Sequence, residues 1–243
     1  MAYRFEVAVD SLESALIAQK CGADRVEFCA DLGSGGITPS LGAVQLALER
    51  LQIPIHVMIR PRRGDFLYTD AEFEMMRRDI ELVKSAGAHG VVFGILLADG
   101  HIDGRRTREL VGLARPLSVT FHRAFDMCRD PRAALSQLID MGVDTLLTSG
   151  QAETAAEGIP LIAEMVARAA GRIEIMPGAG INPGNIGRIA EATGAQTFHF
   201  SGKQMVDGPM EYRSPRLRLG DQDSEYARSY ASMERIRGIV MAL

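Results

Sequence analysis

Glu27, Arg60 and His122 each stand at the end of a short alternating apolar segment. They supply a carboxyl, a guanidinium and an imidazole. A histidine, or a carboxyl whose pKa is tuned by its surroundings, moves protons near neutral pH, and a guanidinium grips carboxylate or phosphate oxygens. Two glycine-bearing stretches could hold the same anion through backbone amides: Met176-Pro177-Gly178-Ala179-Gly180-Ile181-Asn182-Pro183 and Phe200-Ser201-Gly202-Lys203. Gly178, Gly180, Ser201 and Gly202 are therefore candidate anion-binding positions. Asn182 followed by Pro183 predicts an N-cap and a first helical residue just beyond the first stretch.

These groups meet only if the elements carrying them converge. The chain repeats one beat, in which an apolar segment is followed by a helical pattern, a Gly or Pro, and the next segment. Candidate strands begin near Phe5, Arg25, Ile55, Gly90, Leu117, Asp144, Arg172 and Gln196, about 27 residues apart. Similar breaks recur at Cys21-Gly22-Ala23-Asp24, Ala86-Gly87-Ala88-His89, Met141-Gly142-Val143-Asp144 and Thr193-Gly194-Ala195-Gln196. Each sets a glycine just past a helix end, where a left-handed cap is wanted. Eight βα units without a linker predict a single (β/α)8 TIM barrel over residues 1–243. A doubly wound sheet is the alternative.

Alternation sorts the side chains of each strand. Val7, Val26, Phe28, Val57, Val119, Phe121, Ile175 and Phe198 suit the helix side. The axis then receives Glu6, Arg25, Glu27, His56, Arg60, His122, Glu174 and His199, with Thr120 and Ser201. Barrel interiors are usually layers of Val, Ile and Leu. Charges persist inside only when paired and hydrogen-bonded, so this set predicts one network opening at the C-terminal mouth. Glu6 and His56 are expected deep in it as structural groups. A purely structural salt-bridge set is the competing reading.

Composition narrows the classes. With 47% hydrophobic and 24% charged residues among 243, the chain is an ordinary globular sequence. Net charge is −4, which offers no footprint for nucleic acid or an anionic membrane. Cys21, Cys29 and Cys128 are too few for a disulfide scaffold and point to a reducing compartment. No signal peptide or spanning run is apparent, so a cytoplasmic protein is expected.

Several stretches resemble the CutC copper-homeostasis family. They are Gly22-Ala23-Asp24-Arg25-Val26-Glu27-Phe28-Cys29, Gly35-Gly36-Ile37-Thr38-Pro39-Ser40, Val57-Met58-Ile59-Arg60-Pro61-Arg62-Arg63-Gly64-Asp65-Phe66, Phe121-His122-Arg123-Ala124-Phe125-Asp126 and Leu147-Thr148-Ser149-Gly150. The resemblance runs in order over roughly residues 5–203. It implies a cytosolic (β/α)8 barrel, a homodimer and an association with copper. Cu(I) prefers sulfur ligands, so Cys29 is the candidate metal ligand and Cu(I) the candidate cofactor, with Met58 and Met176 on the inward face. Relatives that carry a cysteine in strand one have it where Ala8 stands here.

Three readings stand side by side. One is copper handling through Cys29. Another is an isomerase- or lyase-type enzyme on a small anionic or phosphorylated metabolite, with Glu27 or His122 moving a proton. The third is a non-catalytic binding or assembly barrel. Lys20 and Lys84 fall on helices, which disfavours a Schiff base. No HxH or HExxH spacing supports a zinc hydrolase. Residues 203–223 are expected to form a mouth loop acting as a lid or dimer contact. A closing helix is expected through Tyr226, Met233, Ile236 and Val240 within residues 224–243.

Overall fold

The glycine breaks end helices as expected: Gly22 lies at φ +92° and Gly194 at φ +73°, a region that side chains with a Cβ rarely enter. The computed structural model describes residues 3–214, 216 and 225–243. Through residue 200 it runs β1 (Arg4–Val9), α1 (Leu12–Lys20), β2 (Arg25–Phe28), α2 (Leu41–Arg50), β3 (Ile55–Met58), α3 (Asp70–Ser85), β4 (Gly90–Phe93), α4 (Gly104–Ala114), β5 (Ser118–Phe121), α5 (Pro131–Asp140), β6 (Thr145–Thr148), α6 (Ile159–Ala169), β7 (Glu174–Pro177), α7 (Ile186–Thr193) and β8 (Thr197–Phe200). Capping residues start the helices where a turn must stop. Thr69 and Glu72 form a reciprocal capping box at α3, and Asp130 caps α5 ahead of Pro131.

Each strand from β1 to β6 pairs in parallel with its successor, and β1 pairs with β8. β7 and β8 meet through a single parallel bridge, Gly178 to His199. Sequential order with β1 returning to β8 makes this a (β/α)8 barrel and excludes the doubly wound alternative. Register aligns the outward residues: Val7 lies opposite Val26, Val57 opposite Val91, and Val91 opposite Val119. All five are fully buried under the helices. Each such side chain contributes on the order of 1.5–3 kcal/mol of transfer free energy. This apolar sleeve holds the barrel, leaving the axis free for polar groups.

Two local expectations change. The helix expected at Asn182-Pro183 begins instead at Ile186. The Asn182 side chain accepts the Gly184 N–H at 2.9 Å, making a side-chain turn that competes with helix initiation. The tail also differs. β9 (Lys203–Asp207) pairs antiparallel with β10 (Ala227–Ala231), and α8 spans Met233–Val240. Tyr226 therefore precedes a strand and is not part of the closing helix. Ile236 and Ile239 bury the inner face of α8. Of the expected mouth loop, residues 203–207 are strand, while 215 and 217–223 lie outside the described residues, as does 224. Among the described residues no helix is long and apolar enough to cross a membrane.

Candidate functional site

Strand β4 makes the interior roomy. At its ends, Gly90 and Gly94 replace inward side chains with open space, which neighbouring histidines fill. A Cβ on Gly90 would stand 2.5 Å from the His56 ring, and one on Gly94 would stand 2.6 Å from His122 Nδ1. Only glycine permits that closeness. Both imidazoles thus lie flat against the β4 backbone, buried to within a few per cent.

The lower layer is a charge network. Glu6 is fully buried and accepts from Arg25 Nε at 2.5 Å, and it lies 2.7 Å from His199 Nδ1. Burial opposes ionisation of Glu6, but the Arg25 guanidinium and the His199 hydrogen bond together hold its carboxyl well below the usual range. Burial likewise pushes His199 down, yet the charges of Glu27 and Glu6 outweigh it and raise the imidazole above its ordinary value. Arg25 also approaches Glu174 at 3.8 Å. His56 stays neutral, pushed down to about 4 chiefly by burial. Glu6 and His56 lie deep, as expected.

Above this layer opens a cavity of about 380 Å³. Glu27, Arg60, His122, Gly180, Ser201 and Gly202 all line it, so most of the expected site converges. Glu27 is buried, and its Oε1 has no hydrogen-bond partner. Burial, reinforced by the negative charge of Glu6 and offset by His199, pushes its pKa up to about 7. Arg60 donates to the carbonyls of Ser34 and Gly36 at 3.0 Å each and of Gly64 at 2.9 Å, and its guanidinium lies 5.1 Å from the Phe66 ring centre. Among the described residues no carboxylate pairs with it, and its Nε has no partner. The cavity therefore holds a buried positive charge that has no counter-ion among the described residues.

His122 is held in place by the turn that follows it. Its Nδ1 accepts the Ala124 N–H at 3.1 Å, which places the proton on Nε2, and Nε2 has no protein partner. Burial and then the Arg60 charge push its pKa down to about 3. In this neutral form it can donate a hydrogen bond into the cavity through Nε2. The base-capable groups are Glu27 and His199, whose Nε2 is 3.8 Å from Glu27 Oε2.

Gly178 is not on the cavity wall. Its N–H donates to Thr148 O at 2.9 Å, and a Cβ there would meet Leu147 Cδ1 at 2.5 Å, so its amide is spent closing the barrel. Its neighbour Ala179 does line the cavity and stands at φ +79°. Such a backbone costs an alanine about 1–2 kcal/mol, and strain of this kind gathers at binding sites. The Phe121–Asp126 and Leu147–Gly150 motifs are joined by Asp126. Its carboxylate accepts from Thr148 Oγ1 at 2.5 Å, from the Ser149 hydroxyl at 2.9 Å, from the Ser149 N–H at 3.0 Å and from Arg123 Nε at 2.7 Å. This clamp fixes Arg123 at the cavity mouth. Arg62 is likewise clamped, by Glu72 at 2.6 Å and Asp65 at 3.1 Å.

Cys29 is buried beneath the wall and does not line the cavity. Burial first, then the charges of Glu27, Asp10 and Asp31, push its thiol far up and disfavour thiolate. Met58 packs beside it. Met176 sulfur instead accepts from Arg25 at 3.4 Å. Cys21 and Cys128 are buried and free.

A parallel eight-stranded barrel with alternating helices and a cavity at the C-terminal ends of its strands is a (β/α)8 TIM barrel. The chain belongs to the CutC family, whose model matches residues 3–204. The human copper homeostasis protein cutC homolog is 48% identical over 97% of this chain and 87% of its own length. A CutC family protein of Chromobacterium violaceum is 48% identical over 98% of this chain and 97% of its own. The crystal structure of CutC from Streptococcus agalactiae superposes with a TM-score of 0.79 at 33% identity, covering 82% of this chain and 98% of that one.

Proposed function

We propose that this CutC-family barrel is an acid–base enzyme acting on a small organic anion, phosphorylated or carboxylated, bound at the cavity mouth. One observation carries the reading. A buried guanidinium without a counter-ion and a buried carboxyl with a pKa near 7 face the same 380 Å³ space. A charge so placed is stabilised by a ligand of opposite sign, and a carboxyl so tuned both takes and returns protons at neutral pH. Arg60 holds the anion, Gly180, Ser201 and Gly202 border it, His122 donates through Nε2, and Glu27 moves the proton. Titration calorimetry with inorganic phosphate and glycerol phosphate tests the binding half. Arg60→Met is expected to weaken binding at least about tenfold, as loss of a charge-assisted pair does. Equal affinity in wild type and variant overturns the reading.

A second reading is Cu(I) capture at Cys29, supported by the Met58 thioether packed beside that thiol and by the names of the relatives. The donor set fits poorly, with one protonated thiol, one thioether, and Ala8 across from Glu27 where a second thiol would be needed. Anaerobic Cu(I) titration decides: binding abolished by Cys29→Ala supports it, and binding unchanged removes it. The same proposal places the chain in the cytoplasm, which three free thiols support. It works there as a homodimer, in keeping with the family resemblance, and light scattering tests that state.

A further inference from the structure

We infer that His199 is the second proton-carrying residue of the site, working on the same bound molecule as Glu27, and that the reaction is an isomerisation by internal proton transfer. This rests on the acid–base reading above and adds a residue and a reaction class to it.

The geometry supplies the argument. His199 sits on β8 and Glu27 on β2, separated in the barrel by β1, and both line the cavity. Glu6, on the intervening strand, binds His199 Nδ1 at 2.7 Å. That bond fixes the ring and leaves Nε2 as the edge turned toward Glu27, at 3.8 Å from Oε2. The separation is too long for a direct hydrogen bond. It leaves both groups available to one reacting molecule. A carboxylate that orients an imidazole for proton transfer is a recurring catalytic arrangement. Arg25, bound to Glu6 at 2.5 Å, keeps that orienting carboxylate ionised. The other charged or titratable groups facing this cluster are Glu174 on β7 and His56 on β3, the latter neutral. Glu27 Oε1, buried and without a partner, is the remaining loose end.

The step balances without any further reactant. Glu27 carboxylate removes a proton from the carbon next to a substrate carbonyl, and the electron pair passes through the new C=C bond onto the carbonyl oxygen. That oxygen takes the proton from His199 Nε2. In the second half Glu27 returns its proton to the former carbonyl carbon while neutral His199 recovers one from the neighbouring hydroxyl. One proton has moved from carbon to carbon and one from oxygen to oxygen. Both residues end as they began, and no metal, hydride or water is consumed.

The experiment follows dihydroxyacetone phosphate and ribulose 5-phosphate in D2O with the full-length protein. NMR scores deuterium at carbon separately from appearance of the aldose isomer. Wild type is expected to do both. His199→Gln is expected to lose the aldose product about 100-fold or more and to slow deuterium exchange clearly less, because exchange asks only for removal and return of the carbon proton by Glu27 while conversion also needs the second oxygen deprotonated. Glu6→Gln, which frees the ring, is expected to show the same split in weaker form, and serves if His199→Gln fails to fold. Equal loss of exchange and conversion, or loss of neither, overturns the role of His199 and leaves Glu27 as the acid–base group. Absence of exchange by wild type with both probes overturns the functional reading itself, and this inference with it.

Discussion

Gly94 and His122 are fitted to each other: a Cβ on Gly94 would lie 2.6 Å from Nδ1 and 2.8 Å from the Ala124 methyl. The imidazole therefore has one resting place, set by a backbone that carries no side chain. Gly94→Ala is expected to cost about 1–3 kcal/mol through overpacking and to swing Nε2 off the cavity. Gly112, within α4, has nothing within 4 Å of a Cβ, so Gly112→Ala is expected to gain about 0.4–1 kcal/mol. Urea unfolding of the two variants reads both signs.

Acid should loosen the fold through the buried histidines. His56 and His122 are held neutral in the folded chain, at about 4 and about 3 against 6.5 when exposed. Below pH 6.5 the unfolded chain takes up protons that the folded one refuses, so stability falls as pH drops, by about 1.4 kcal/mol per pH unit for each group. Glu27 works the other way. Its folded pKa of about 7 exceeds the ordinary 4.5, so lowering pH across that window relieves its burial. The balance is one histidine's worth of slope between pH 6.5 and 4.5. His122→Gln is expected to flatten it, and urea unfolding at the two ends of that window measures the change.

Asp126→Asn keeps the shape of the clamp but turns an N–H group toward donors on Thr148 or Ser149. A cost of about 1–3 kcal/mol is expected for the donor left unsatisfied. Arg123 also loses its Nε partner, so binding of inorganic phosphate should weaken along with the melting temperature. A variant as stable as wild type would mean that the two motifs are not joined through this carboxylate.

The three thiols should resist alkylation. All are buried, and burial pushes Cys128 up to about 11 and Cys29 further still. Iodoacetamide at neutral pH is expected to modify the native chain slowly and the urea-unfolded chain fully, with mass spectrometry locating each adduct. Rapid native labelling of Cys29 would revive the soft-metal reading by showing an accessible thiolate.

Much of this was legible in the residues themselves. The alternation of Val7, Val26, Val57 and Val119 against charged neighbours marked the outward face, and four glycine breaks marked the helix ends. Glu27, Arg60 and His122 were visible because they end strands. What could not be seen depends on lateral register. That Gly90 makes room for His56 follows from their pairing across β3 and β4, which no single segment encodes. Gly178 read as an anion binder because its sequence is loop-like, but β7 extends through Pro177 and its amide enters the ladder. Which nitrogen of His122 carries the proton rests on one backbone N–H two residues away, a turn geometry that residue type alone does not specify. His199 was expected inside, but its bond to Glu6 appears only once β8 lies against β1.

The hoop of strands is fastened least where β7 meets β8, through one bridge, and that gap lies between the segments bearing Gly180 and Ser201. Amide hydrogens along this seam should exchange with solvent sooner than those of β2 to β6. A molecule spanning the two segments would act as a stitch, tightening a barrel that is otherwise slightly unlaced on the side where its guest enters.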